Sequence, residues 1–339
     1  MDEGRPNGKG KYVWSNGYVQ EGNYFHGDYL NLDSLYLQRL EKNVLPIVDN
    51  ANMYVNDADA QTLFYYALVT VGKPKGALIL LSGSSENAGS VFTNNVELAQ
   101  RASDLGIVVL VPSINSNLAL GNNEVSFLNA AFEHAVTKYG IPKTKIVIGG
   151  FSLGGLFSLR YSEMAHDSNN KTTIKPTAVF AADPPVDLAR LHEIFLREID
   201  RNTSEATVAS CRNYIKAMET DFGGDPKARP EKYVSFSAYS RTERDGGNSK
   251  FLTSIPVRIY SDPDIDWQMK MRHGDYYDMG ALDQTSMINL LNRLGNSNAQ
   301  FINALGKGHN LDGSRNPHSW SIIDAKECIE WIAKCLGLE

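Results

Sequence analysis

Ser152 stands in the run Lys145-Ile146-Val147-Ile148-Gly149-Gly150-Phe151-Ser152-Leu153-Gly154-Gly155, which contains G-x-S-x-G from Gly150 to Gly154. Two glycines and a serine at these offsets recur by chance, so the flanks carry the argument. A β-branched run precedes the motif, and apolar residues at helical spacing, Leu156, Leu159 and Met164, follow it. That is the strand-turn-helix setting in which a sharp turn exposes a serine Oγ as a nucleophile. Glycine on either side lets strand and helix approach without a Cβ clash. A phosphate-binding turn at a helix N-terminus is the rival chemistry, but no lysine follows in the P-loop position. The chemistry this implies is acyl transfer to an activated serine.

Such a serine needs a sheet to present it. The chain has 339 residues, 42% of them hydrophobic and 21% charged, which suits a large α/β domain or two smaller ones and excludes collagen-like or wholly disordered classes. Strand patterns fall at Leu63–Thr70, Ala77–Leu81, Ile107–Val111, Lys145–Ile148, Ala178–Ala181, Val257–Tyr260 and Gln300–Asn303. Helical periodicity alternates with them, most clearly at Glu97–Leu105 and Val125–Tyr139. The alternation predicts a mostly parallel sheet with helices on both faces. Residues 188–250 interrupt it with two amphipathic stretches, Leu188–Ile199 and Glu205–Met218, and read as a helical lid.

From residue 60 to 337 the chain resembles the α/β-hydrolase family, on the elbow and its flanking strand pattern. The resemblance implies a Ser…Asp…His order with Ser152 first. Leu78-Ile79-Leu80-Leu81-Ser82-Gly83-Ser84 lies where the family places half of its oxyanion hole, with Ser82 in place of the family's histidine. The donors implied are the backbone N–H groups of Ser84 and Leu153. The acid is expected after the next-to-last strand, in Ser261-Asp262-Pro263-Asp264-Ile265-Asp266, with Asp264 favoured, Asp262 second and Asp266 third. A calcium-loop reading of these aspartates fails because Trp267 and His273 occupy the positions that need glycine and glutamate. The base is expected between the last strand and the last helix, where His309 and His318 lie. His309 stands in a G-x-G-H run. The segment Pro317-His318-Ser319-Trp320 resembles a bacterial esterase subgroup whose histidine is the later one, so His318 is chosen with His309 as the alternative.

Residues 1–30 have a different texture, with glycines punctuating short aromatic stretches. The spacing G-x-G-x-Y-x-W-x-x-G-x-x-x-x-G from Gly8 to Gly22 resembles one unit of the MORN repeat family and reads as a β-hairpin turning at Asn16-Gly17. Residues 31–339 then form the hydrolase domain. A lone hairpin cannot bury its own apolar face and must lean on a neighbour.

The formal charge of −6 gives no basic footprint for nucleic acid, and no apolar run is long enough to span a membrane. The N-terminus lacks a secretory pattern, and Cys211, Cys328 and Cys335 form no disulfide framework, which points to a reducing, cytoplasmic setting. A Ser-Asp-His triad needs no metal or organic cofactor, so none is expected. The expected substrate is a small-molecule ester. The same triad would serve an acyltransferase or a peptidase, and a non-catalytic scaffold on this fold is the reading from outside enzymology.

Overall fold

The computed structural model describes residues 6–15, 17–48, 52–55, 62–169 and 172–338. The termini Met1–Arg5 and the turn residue Asn16 lie outside them. The N-terminal segment forms a three-stranded antiparallel sheet from β1 (Gly8–Val13), β2 (Val19–Phe25) and β3 (Asp28–Tyr29), with Gly8 opposite Tyr24. It leans on the main body through Asp28, whose carboxylate accepts from Tyr66 Oη at 2.7 Å and Asn87 Nδ2 at 2.9 Å. Leu30 and Leu32, which follow it, are buried in the main core.

The main sheet has eight strands: β4 (Leu40–Val48), β5 (Thr62–Leu68), β6 (Gly76–Leu81), β7 (Ile107–Pro112), β8 (Ile146–Phe151), β9 (Ala178–Ala182), β10 (Val257–Ser261) and β11 (Ala299–Asn303). Their order across the sheet is β11-β10-β9-β8-β6-β7-β5-β4. Only β5 runs against its neighbours, β4 and β7; every other pairing is parallel. The seven strands read from the sequence are all present. The strand not foreseen, β4, carries Pro46 and charged outward residues, which hid it, and it occupies the sheet edge where a proline costs no ladder bond.

Central strands are buried on both faces. Along β6, Ala77, Ile79 and Leu81 join one core cluster while Leu78 and Leu80 join the cluster on the opposite face. Such two-sided burial follows from helices covering both faces, and it is why these strands read as continuous apolar runs. The chain leaves β6 for β7 on one side and returns to β8 on the other. A crevice therefore opens at the carboxyl ends of β6 and β8, where strand order reverses and ligands bind in sheets of this kind. Residues 188–250 form helices Leu188–Arg201, Glu205–Phe222 and Pro230–Phe236, followed by a short turn of helix at Gly247–Leu252. Among the described residues no helix is long and apolar enough to cross a membrane.

Candidate active site

Ser152 lies at the turn between β8 and helix Leu153–His166, with φ 53° and ψ −119°. Those angles cost a non-glycine residue about 1–3 kcal/mol and persist only where the surroundings impose them. Here the surroundings do so sterically. A Cβ on Gly150 would lie 2.2 Å from the Gly154 carbonyl oxygen, and one on Gly154 would lie 2.2 Å from that of Leu81. Strand and helix are thus as close as backbone permits, and Ser152 N–H donates to Ala182 O at 2.8 Å, tying the turn to β9.

Register decides which acid lies beside the serine. Phe151 pairs with Ala182, so the next residues, Ser152 and Asp183, emerge side by side from adjacent parallel strands. His318 bridges them: its Nε2 is 3.0 Å from Ser152 Oγ, and its Nδ1 is 2.6 Å from Asp183 Oδ2. Asp183 also accepts from Gln284 Nε2 at 2.9 Å and Ser261 Oγ at 3.2 Å. Burial works to raise its carboxyl, but the hydrogen bonds from His318, Gln284 and Ser261 outweigh it and hold the group below the usual carboxylate range. Asp183 itself has φ 44°, so acid and nucleophile both sit on strained turns.

The acids favoured from the sequence do not meet the histidine. Asp264 caps helix Ile265–Arg272 by accepting from Trp267 N–H at 2.9 Å, and it pairs with Arg315 at 2.9 Å. Asp262 is fully enclosed and accepts from Gly306 N–H at 3.0 Å, Gly308 N–H at 2.8 Å and Arg315 at 2.7 Å. The reason is distance: β10 lies two strands from β8, about 10 Å at the usual strand spacing, whereas β9 lies one. Both aspartates instead fasten the loop that carries His318. Asp183 carried its own signal in the sequence, an apolar strand ending directly in Asp183-Pro184-Pro185.

His309 is likewise away from the serine; its Nδ1 faces Lys307 O within its own loop at 3.1 Å. The chain from Gly308 doubles back, with Asn316 N–H donating to Gly308 O at 3.0 Å, and so returns His318 to the sheet edge. The imidazole packs on Phe151 at 4.6 Å between centroids, and the Trp320 ring packs on the same phenyl at 5.5 Å. Trp320 Nε1 donates to both carboxylate oxygens of Glu86 at 2.8 and 3.0 Å. Glu86 also accepts from Gly83 N–H at 2.8 Å, so one carboxylate ties the turn after β6 to the histidine loop. Burial raises the Glu86 carboxyl against those hydrogen bonds. The sequence reading overlooked Glu86, Gln284 and Ser261.

Ser84 and Leu153, the expected oxyanion donors, line the same cavity as Ser152 and His318. Leu153 N–H is in the first helical turn, where no intrahelical acceptor exists. The Tyr214 hydroxyl meets Ser84 Oγ at 3.3 Å. The cavity has a volume of about 580 Å³ and is roofed by helices Leu188–Arg201 and Glu205–Phe222. Of the thiols, Cys211 and Cys328 are buried, Cys335 is half-buried, and all three are unpaired.

No family model matches the sequence, and no curated protein matches it significantly. Solved structures do. Esterase B from Lactobacillus rhamnosis aligns with a TM-score of 0.53 at 12% identity, covering 89% of this chain and 86% of its own. A carboxylesterase from Lactobacillus plantarum aligns at 0.51 and 13% identity, covering 88% and 98%. A thermostable esterase aligns at 0.51 and 13%, covering 96% and 69%. At such identity the likeness is one of fold, and with the strand order it defines an α/β-hydrolase fold, with the N-terminal antiparallel sheet beside it.

Proposed function

We propose that the protein is a serine hydrolase of carboxylic esters, working through an acyl-enzyme on Ser152. The observation that carries this is the single imidazole bridging Ser152 Oγ and Asp183 Oδ2 at 3.0 and 2.6 Å. With Nδ1–H donated to Asp183, Nε2 presents its lone pair to the serine hydroxyl and takes its proton as Oγ attacks the ester carbonyl. Leu153 and Ser84 N–H groups receive the developing oxyanion. The imidazolium then returns the proton to the departing alcohol oxygen. Water, deprotonated by the same nitrogen, releases the acid and restores the serine. Asp183 stabilises the imidazolium without taking the proton. The names borne by the structural neighbours, esterases and a carboxylesterase, support esters over other acyl donors.

The two roofing helices act as the lid, with Phe195 stacked on Tyr214 at 5.3 Å over the cavity. A fluorophosphonate probe tests the reading: the wild type should label at Ser152 and the Ser152→Ala protein should not. A folded wild type that takes no label overturns it.

A further inference from the structure

The cavity at Ser152 continues between the two roofing helices. Tyr214 and Cys211 both line it from helix Glu205–Phe222. Three residues of helix separate them by about 5 Å, and Tyr214 marks the nucleophile end through its contact with Ser84. The wall between is apolar, built from Leu191, Ile194 and Phe195. Arg272, from the last turn of helix Ile265–Arg272, also lines the cavity. Its guanidinium is the largest influence opposing the burial that raises the Glu198 carboxyl, and it acts also on Cys211, which places it near the junction of the two roofing helices.

Arg272 is half-buried. Among the described residues its guanidinium meets the Trp267 ring at 5.9 Å and has neither a hydrogen bond nor an ion pair. The cavity's carboxylates are better served. Asp278 is held by Arg197 and Arg201, Asp283 pairs with Arg241 at 2.6 Å, and Asp187 accepts backbone N–H groups. Among the described charged groups that line the cavity, the one without a direct partner is therefore positive, while behind the wall one buried carboxylate oxygen of Glu198 lacks a hydrogen bond. A guanidinium partly withdrawn from water and lacking a partner is suited to a carboxylate, which it can meet with two parallel hydrogen bonds.

Building on the hydrolase reading, we infer that Arg272 binds a carboxylate at the far end of the substrate's acyl chain, so that the preferred substrates are monoesters of medium-chain dicarboxylic acids. The apolar wall takes the methylenes, Arg272 takes the distal carboxylate, and Ser152 attacks the carbonyl at the other end. Recognition at a fixed point of the wall selects for chain length as well as charge, since a shorter chain leaves the guanidinium unreached.

The test compares the p-nitrophenyl monoester of suberic acid, p-nitrophenyl octanoate and the p-nitrophenyl ester of an ω-amino octanoic acid. The wild type should favour the suberate monoester over octanoate at least ~10-fold in kcat/KM, chiefly through KM, with a preference that shrinks as salt is raised. Arg272→Gln should bring the ratio close to one, and Arg272→Lys should keep part of it. Preference for octanoate or for the ω-ammonium ester in the wild type overturns the inference without need of a variant. An unchanged ratio in a folded Arg272→Gln protein overturns it too and assigns the guanidinium to Glu198 as a counter-ion. If the wild type labels with fluorophosphonate yet shows no preference, this inference alone fails; if it neither labels nor cleaves any of the esters, both readings fail.

Discussion

Asp183 and Asp262 each follow the last residue of a buried parallel strand, β9 and β10, and both face the carboxyl edge of the sheet. Asp183 meets an imidazole, a hydroxyl and an amide. Asp262 meets two backbone N–H groups and a guanidinium, all from the loop that carries the histidine. One acid orients the proposed base and the other orients the base's support. The difference arises from a single strand spacing, and it teaches that position after a strand does not assign an acid its partner; lateral register does.

Substitutions can break this comparison or sharpen it. The reference loss is Ser152→Ala, which should lower turnover on short p-nitrophenyl esters by on the order of 10⁶ while the fold survives. Asp183→Asn should cost on the order of 10⁴, because the amide leaves the imidazole in the wrong tautomer. If Asp264→Asn proves the deeper loss, the acid assignment is reversed. Asp262→Asn should lower stability by about 1–3 kcal/mol, read as the midpoint of urea unfolding, since an amide cannot serve as well the two N–H groups and Arg315 that it meets in full burial. Its activity should fall far less than that of Asp183→Asn. Smallest of the aspartate effects is Asp264→Asn, where asparagine still caps the helix and the half-exposed pair with Arg315 contributes about 1 kcal/mol or less. His309→Ala should keep at least a tenth of wild-type kcat/KM, as its ring points back into its own loop.

How much of this was legible follows the same division. Ser152, its turn and seven strands are local patterns, written within a few residues of one another. The preference for His318 over His309 rests on the resemblance carried by Pro317-His318-Ser319-Trp320, a local run; in the structure the chain doubles back before it, with Asn316 N–H on Gly308 O and Trp320 held by Glu86. Asp183 was not chosen because the sequence offers equivalent aspartates after two strands, and the neighbour of β8 in the sheet cannot be read from order along the chain. Strand β4 escaped because an edge strand with one wet face and a proline has no continuous apolar run. Glu86 and Gln284 join segments more than a hundred residues apart, a relation that no local spacing records.

Trimming the chain at residue 30 to obtain a minimal fragment would remove Asp28, and the damage would not stay at the end of the molecule. Asp28 packs so closely on helix Ala88–Asn94 that a Cβ on Gly89 would lie 2.4 Å from its own Cβ. That helix follows directly from the turn that holds Ser84 and Glu86. Without Asp28, Asn87 and Tyr66 lose a shared acceptor, and the helix that backs the turn loses its outer wall. A protease that nicks the N-terminal sheet should therefore blunt catalysis from outside the active site, and limited digestion should show activity declining in step with loss of the first thirty residues while Ser152 and His318 remain uncut.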